Sequence, residues 1–201
     1  MFSQVFEPRH WNGHWKLVSR ENYEDLLRFN GVPEESLQSA KTANDFWTYE
    51  FSEDGKSFHM LHEIPATNFK VNFETNIDGQ WYSPCPYVIT TASKWSANAQ
   101  QVEEKMKMGS WRNTWDRKYG TSPFSSLYTE VYRNDGHVLR FWRTLELPNK
   151  IVATIFVFKV LDKMEIDGCN EEQVVGPVYC TFERMDPFCR PPTVTNIKDN
   201  Q

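Results

Sequence analysis

The chain has only four cysteines, no long apolar run and a deficit of basic residues. Cys85, Cys169, Cys180 and Cys189 lack the paired short spacings of a zinc site and are too sparse for a disulfide scaffold, so free thiols are expected. No segment approaches the roughly 20 apolar residues that a membrane helix needs. The longest apolar stretch, 151–158, has the length of a buried strand. The first residues show no basic stretch followed by an apolar one, so no secretion signal is expected and the cytoplasm is the expected compartment. Lys and Arg number 22 against 27 Asp and Glu, a formal net charge of -5. That balance argues against nucleic acid or an anionic membrane as partner, since both need clustered cations.

Rings are what the chain has in quantity: 14 Phe, 8 Trp and 8 Tyr in 201 residues. They exclude disorder for most of the chain. The period of the apolar residues then organises it. A strand opens over 11–19. At 21–29 the period changes, with Asn22 a candidate N-cap, acids in the first turn, and Tyr23, Leu26 and Leu27 on one helical face. Gly31 sits where a helix C-terminus wants it, and Pro33 begins a second short helix. Alternation follows over 46–51, 56–64 and 69–74, with the hairpin signal Asp54-Gly55 between the first two. Further strands are expected over 126–133, 137–147, 151–160 and 177–185, the first two joined by Asn134-Asp135-Gly136. About ten short strands and one early helical pair predict a closed antiparallel barrel or a sandwich. Residues 93–108, with Trp95, Ala99, Val102 and Met106 at helical spacing, read as an amphipathic helix; 162–173 reads as a long loop.

Gly13-His14-Trp15-Lys16-Leu17-Val18, then Glu21-Asn22-Tyr23 and Gly31-Val32, resembles the opening of an intracellular fatty-acid-binding protein. Asp135-Gly136 through Arg143 and Leu145 resembles that family's later hairpin, and Val178-Tyr179-Cys180-Thr181 its closing strand. The resemblance covers roughly 130 residues in patches. Secreted lipocalins share the Gly-x-Trp opening but lack the helix pair. The resemblance implies an all-β domain, a ten-stranded calycin barrel with a two-helix cap, here over 1–189; the insert at about 93–119, with the extra helix, has no family counterpart, and 190–201, opening on Pro191-Pro192 with few apolar residues, reads as a loose tail. The resemblance also implies an interior that holds one lipophilic ligand. In the family an arginine on the eighth strand and an Arg-x-Tyr pair on the last meet the ligand's carboxylate. By register the first falls on Arg143; the pair falls on Phe182 and Arg184, so this chain has Phe-x-Arg instead.

Alternation reaches the same arginines independently. One face of the strand at 137–145 reads His137, Leu139, Phe141, Arg143, Leu145, and one face of the last reads Val178, Cys180, Phe182, Arg184. A buried guanidinium needs a partner, wet surroundings or the opposite orientation, and inside a barrel it can hold an anionic or polar head group. Arg143 and Arg184 are therefore the candidates for the ligand's polar end, and Phe141, Phe182, Tyr49 and Met60 for its apolar body. His62 shares a face with Phe58, Met60 and Ile64 and is a candidate lining residue. Cys180 points inward and could attach a chromophore. A ring-lined cavity suits a fatty acid, a retinoid or a pigment; the alternative is an enzyme of the same fold, a luciferase, isomerase or cyclase, acting on such a ligand. No cofactor or metal site is expected, since His59 and His62 fall on opposite faces. The insert is either a portal lid, an outer helix or a docking element for a protein partner.

Overall fold

A computed structural model describes residues 5–67, 69–83, 108–116, 123–161 and 170–186. Nine antiparallel strands form one sheet: β1 Gly13–Glu21, β2 Phe46–Phe51, β3 Ser57–Ile64, β4 Phe69–Asn76, β5 Met108–Trp115, β6 Ser126–Arg133, β7 His137–Glu146, β8 Lys150–Val160 and β9 Glu171–Arg184. Their order is β4-β3-β2-β1-β9-β8-β7-β6-β5, a meander except where β9 returns to lie against β1. The two edge strands meet through a short extended segment. Tyr82 exchanges both backbone hydrogen bonds with Trp111 of β5, and the Gly79 N–H donates to the Asn113 carbonyl. The result is a nearly closed barrel, as expected, with nine strands and this bridging segment among the described residues in place of ten strands.

The strands follow from their pattern. On β8, Ile151, Ala153, Ile155 and Val157 are buried and alternate with half-exposed residues, so one face of the ribbon meets the core and the other water. Trp15 and Leu17 of β1, Tyr49 and Phe51 of β2, Phe58 and Met60 of β3, and Val178, Cys180 and Phe182 of β9 fill one continuous core. The Asp54-Gly55 turn works as the sequence implies. Gly55 has φ of +68° and is packed against Pro8 and Phe124 so closely that a Cβ would collide with both, which only glycine permits.

Between β1 and β2 the chain forms α1, Tyr23–Phe29, and, after a 3-10 turn at Glu34–Ser36, α2, Leu37–Thr42. Leu27, Val32, Leu37 and Ala40 make a small core of their own, and Lys41 of α2 binds Glu24 of α1 at 2.7 Å. Gly31, at φ +78°, reverses the chain after α1, with Val32 N–H returning to the Leu27 carbonyl. Asn22 precedes α1 as expected, but its side chain does not cap the helix; its Nδ2 donates to the Pro177 carbonyl of β9.

Two sequence expectations change. Residues 108–115, assigned by pattern to the insert, are the barrel strand β5, paired residue by residue with β6. Residues 171–173, expected at the end of a loop, belong to β9. The amphipathic helix expected at 93–108 lies outside the described residues except for its last position, as does the tail. The described residues stop at Ser83 and resume at Met108. Ser83 Oγ donates to the Gly109 carbonyl at 2.7 Å, and β5 there pairs with Arg133, whose guanidinium lies over Phe29 of α1. Ser83 and Met108 therefore stand at the helix-capped rim.

On the outer face, Arg112, Glu130 and Arg140 are direct cross-strand neighbours on β5, β6 and β7. Glu130 is only 4% exposed and is clamped at 2.5 and 2.9 Å by the two guanidinium groups. Burial pushes its carboxyl up, but hydrogen bonds from Tyr128, Arg140 and Arg112 outweigh that and hold it below the usual carboxylate range.

Candidate functional site

The site is built where β2 and β7 face each other across the interior. β2 turns Trp47, Tyr49 and Phe51 inward; β7 turns in Phe141, Arg143 and Leu145. Arg143 is 2% exposed. Its NH1 donates to the Tyr49 hydroxyl at 3.2 Å and its NH2 to the Thr129 hydroxyl of β6. The guanidinium carbon lies 5.9 Å from the Trp47 ring centre and 6.0 Å from that of Phe141, within reach of their π faces. Burial raises the Tyr49 pKa and the Arg143 charge only partly opposes it, so the phenol stays neutral and acts as an acceptor.

From Thr129 the polar contacts continue across the barrel. Thr129 Oγ1 donates to Asn113 Oδ1 at 2.6 Å, and Asn113 Nδ2 donates to Thr75 Oγ1 at 3.2 Å. All three residues are buried, so the chain of hydrogen bonds runs from Arg143 to the seam between β5 and β4 inside an otherwise apolar core. Such a network is stable only when its members are satisfied.

A second group lies under the helical cap. Asp45, one residue before β2, is 5% exposed and sits 2.9 Å from His62 Nε2 of β3. It is close enough to Tyr23 and Cys180 for its charge to raise both their pKa values, after burial as the main cause. Beside this pair the indole Nε1 of Trp47 is a buried donor with no hydrogen-bond partner among the described residues. A buried polar atom without a partner costs about 1–3 kcal/mol. Trp47, His62, Phe73 and Phe141 occupy inward-facing positions yet are not fully buried.

The structure brings together most of the predicted residues. Phe182 is 1% exposed and stacks on Trp47 with ring centres 3.8 Å apart. Tyr49 and Met60 are direct neighbours across β2 and β3. His62 lies edge-on to Trp47 at 5.9 Å. Cys180 faces the core as expected, but burial pushes its thiol up to about 12, which keeps it protonated and a poor nucleophile for attaching a chromophore. Arg184 is placed elsewhere. It donates to the carbonyls of His10 and Asn12 and lies 4.2 Å over the Trp15 ring, so it bolts the 3-10 turn at Pro8–Trp11 across the end of the barrel opposite the helices. Sequence reasoning missed Asp45, Thr129 and Asn113. Thr129 and Asn113 occupy inward positions of alternating strands, between Leu127 and Val131 and between Trp111 and Trp115, which is the same signal that identified Arg143.

A nearly closed antiparallel barrel, capped by two short helices and carrying a buried arginine among inward-facing rings, has the architecture of the fatty-acid-binding-protein fold. No family model matches the chain. It is 27% identical over 117 residues to cellular retinoic acid-binding protein 2 of Bos taurus, covering 54% of this chain and 80% of that one. In fold it resembles a Schistosoma mansoni fatty acid binding protein solved with arachidonic acid (TM-score 0.56, 13% identity, 90% of this chain and 100% of the other). It likewise resembles the fluorescent protein UnaG (TM-score 0.55, 12% identity, 87% and 96%). In sequence and in fold the chain is similar to the intracellular fatty-acid-binding proteins.

Proposed function

We propose that the protein binds one lipophilic small molecule with an acidic or carbonyl-bearing end, a fatty acid, retinoid or pigment, and carries it in the cytoplasm. The observation that carries this reading is Arg143: a guanidinium 2% exposed on the inward face of β7, donating to the hydroxyls of Tyr49 and Thr129 and flanked by Trp47 and Phe141. A cation in that setting binds an incoming carboxylate or carbonyl strongly, because little water competes for it. The relatives whose names state a ligand, retinoic acid and arachidonic acid, are named for carboxylic acids. Phe182, Phe141, Tyr49, Met60 and His62 would contact the body of the molecule. Arg184 contributes by sealing the far end rather than by touching ligand, so the ligand's acid would meet one arginine.

The test is native mass spectrometry of the purified protein with organic extraction, followed by displacement of a hydrophobic fluorescent probe. One released molecule per chain, and a loss of affinity for acidic ligands in Arg143→Gln, are the expected results. A protein that comes empty and takes up neither probe nor fatty acid would sink the reading, and consumption of the ligand would show an enzyme instead of a carrier.

A further inference from the structure

We infer that Asn113 is a positioning residue for Arg143: it fixes the direction in which the Thr129 hydroxyl points, and through that hydroxyl the place of the guanidinium. The inference rests on the lipid-binding reading of the barrel and adds to it a residue that acts on the site without touching the ligand.

The direction of each hydrogen bond in this chain is determined at its far end, on β4. The Asn76 carbonyl has no proton to give, so the part of Asn113 that faces it at 3.4 Å is the amide nitrogen, Nδ2. Thr75 requires the same orientation. Its own hydroxyl proton goes to that carbonyl at 3.3 Å, and its oxygen is left to accept from Nδ2 at 3.2 Å. With Nδ2 turned to β4, Oδ1 is turned to β6, where Thr129 stands directly opposite Asn113. An amide oxygen only accepts, so Thr129 gives its one hydroxyl proton to Oδ1 at 2.6 Å and presents its lone pairs to Arg143 NH2.

That polarity is the one the arginine needs, because a guanidinium only donates. Without the acceptor at Oδ1 the Thr129 hydroxyl is free to rotate, and a proton turned toward NH2 repels it where a lone pair attracts. Asn113, Thr129 and Arg143 are each no more than 2% exposed, so bulk solvent does not replace a lost member of the chain. Asn113 is itself held from a second side, since its backbone carbonyl accepts from the Gly79 N–H at 2.9 Å. A long side chain that is ordered before the ligand arrives binds it more tightly than one that must be ordered on binding.

The experiment compares stearic acid with 1-octadecanol, which share a chain and differ at the charged end, by displacement of Nile red from the full chain. Each variant is checked for folding by thermal melting. The preference for acid over alcohol is expected to fall about two- to tenfold in Asn113→Leu, the range set by ordering one long side chain on binding. Thr129→Val is expected to give the same fall, and Asn113→Leu made on top of it to add nothing, because Asn113 acts through the hydroxyl. Equal losses for acid and alcohol in Asn113→Leu, or a further loss of preference in the double variant, overturn the inference and make Asn113 a structural residue only. A second readout needs no ligand. Nitrogen NMR of arginine-labelled protein, with the Arg143 signals assigned by their loss in Arg143→Met, is expected to show separate resonances for its two terminal nitrogens in the native chain and merged ones in Asn113→Leu and Thr129→Val. Unchanged resonances in Asn113→Leu overturn the inference. Failure of both acid and alcohol to displace the probe sinks the lipid-binding reading, and the NMR result then decides the positioning of Arg143 by itself.

Discussion

Replacing Tyr49 with Phe removes one oxygen and leaves the ring to pack against Trp47, Phe51 and Phe58, whose centres lie 5.7–6.1 Å away. What is lost is the acceptor for Arg143 NH1. A hydrogen bond to a buried charged group is worth about 1.5–3 kcal/mol, and the 3.2 Å separation argues for the lower part, about 2 kcal/mol. For a domain of this size that is a fall of about 4–8 °C in melting temperature. The cost belongs to the pair, so it must depend on the arginine. In an Arg143→Met background, where the charge is gone and an apolar chain of similar length fills the space, Tyr49→Phe should cost nothing or stabilise slightly, because the phenol no longer has this donor to satisfy it. Urea unfolding followed by tryptophan fluorescence on the four proteins of the cycle gives the coupling directly. Equal losses from Tyr49→Phe in both backgrounds would refute the reasoning, and would mean that Tyr49 matters through its ring alone.

Phe182→Ala, at a site 1% exposed and stacked on Trp47, should cost about 3–5 kcal/mol in urea unfolding, whereas Phe182→Leu costs less than half of that; similar losses for both would mean that the stacking geometry, not volume, is decisive. Glu130 has its pKa lowered on folding, so its stabilisation is complete above the unfolded carboxyl value of about 4.3 and drains away as pH falls below it; the melting temperature should drop below about pH 4.5 in the native chain and less steeply in Glu130→Gln. Asn113→Ala leaves the hydroxyls of Thr129 and Thr75 without their shared partner and should raise amide hydrogen exchange at Gly79 and Tyr82, whose N–H groups bond Asn113 and Trp111 of β5, at least about tenfold, while β8 is unchanged. Cys180, with its thiol pushed up to about 12, should resist alkylation at pH 8 in the folded protein and react on denaturation; fast labelling by peptide mass spectrometry would contradict its burial.

Much of this architecture was legible because its signals are local. β2, β6 and the Asp54-Gly55 and Asp135-Gly136 turns follow from period-2 alternation and glycine chemistry. Arg143 stood out because a charge on an apolar face has few explanations. β5 was missed because Met108-Gly109-Ser110-Trp111-Arg112-Asn113-Thr114-Trp115 carries inward Asn113 between two tryptophans, which blurs the apolar face. The start of β9 was missed because Glu171, Glu172 and Gln173 read as loop, although β8 pairs with all three. Arg184 was assigned to the right face but the wrong task. Its partners are carbonyls of His10 and Asn12, more than 170 positions away in the chain, and no pattern within β9 reveals them.

The place of β9 in the sheet sets the order in which the molecule can be completed during synthesis. Trp15 of β1 meets Arg184, so β1 waits for the synthesis of every strand between them before it gains one of its two neighbours. At roughly 5–20 residues per second, that is on the order of ten to thirty seconds during which β1 can pair only with β2. Its other edge, and the unclosed interior with Trp15, Tyr49 and Met60, are then open to solvent and to other chains. Within that interval the nascent chain presents the apolar lining that the finished barrel keeps for its ligand, and the last strand to emerge is the one that ends its exposure.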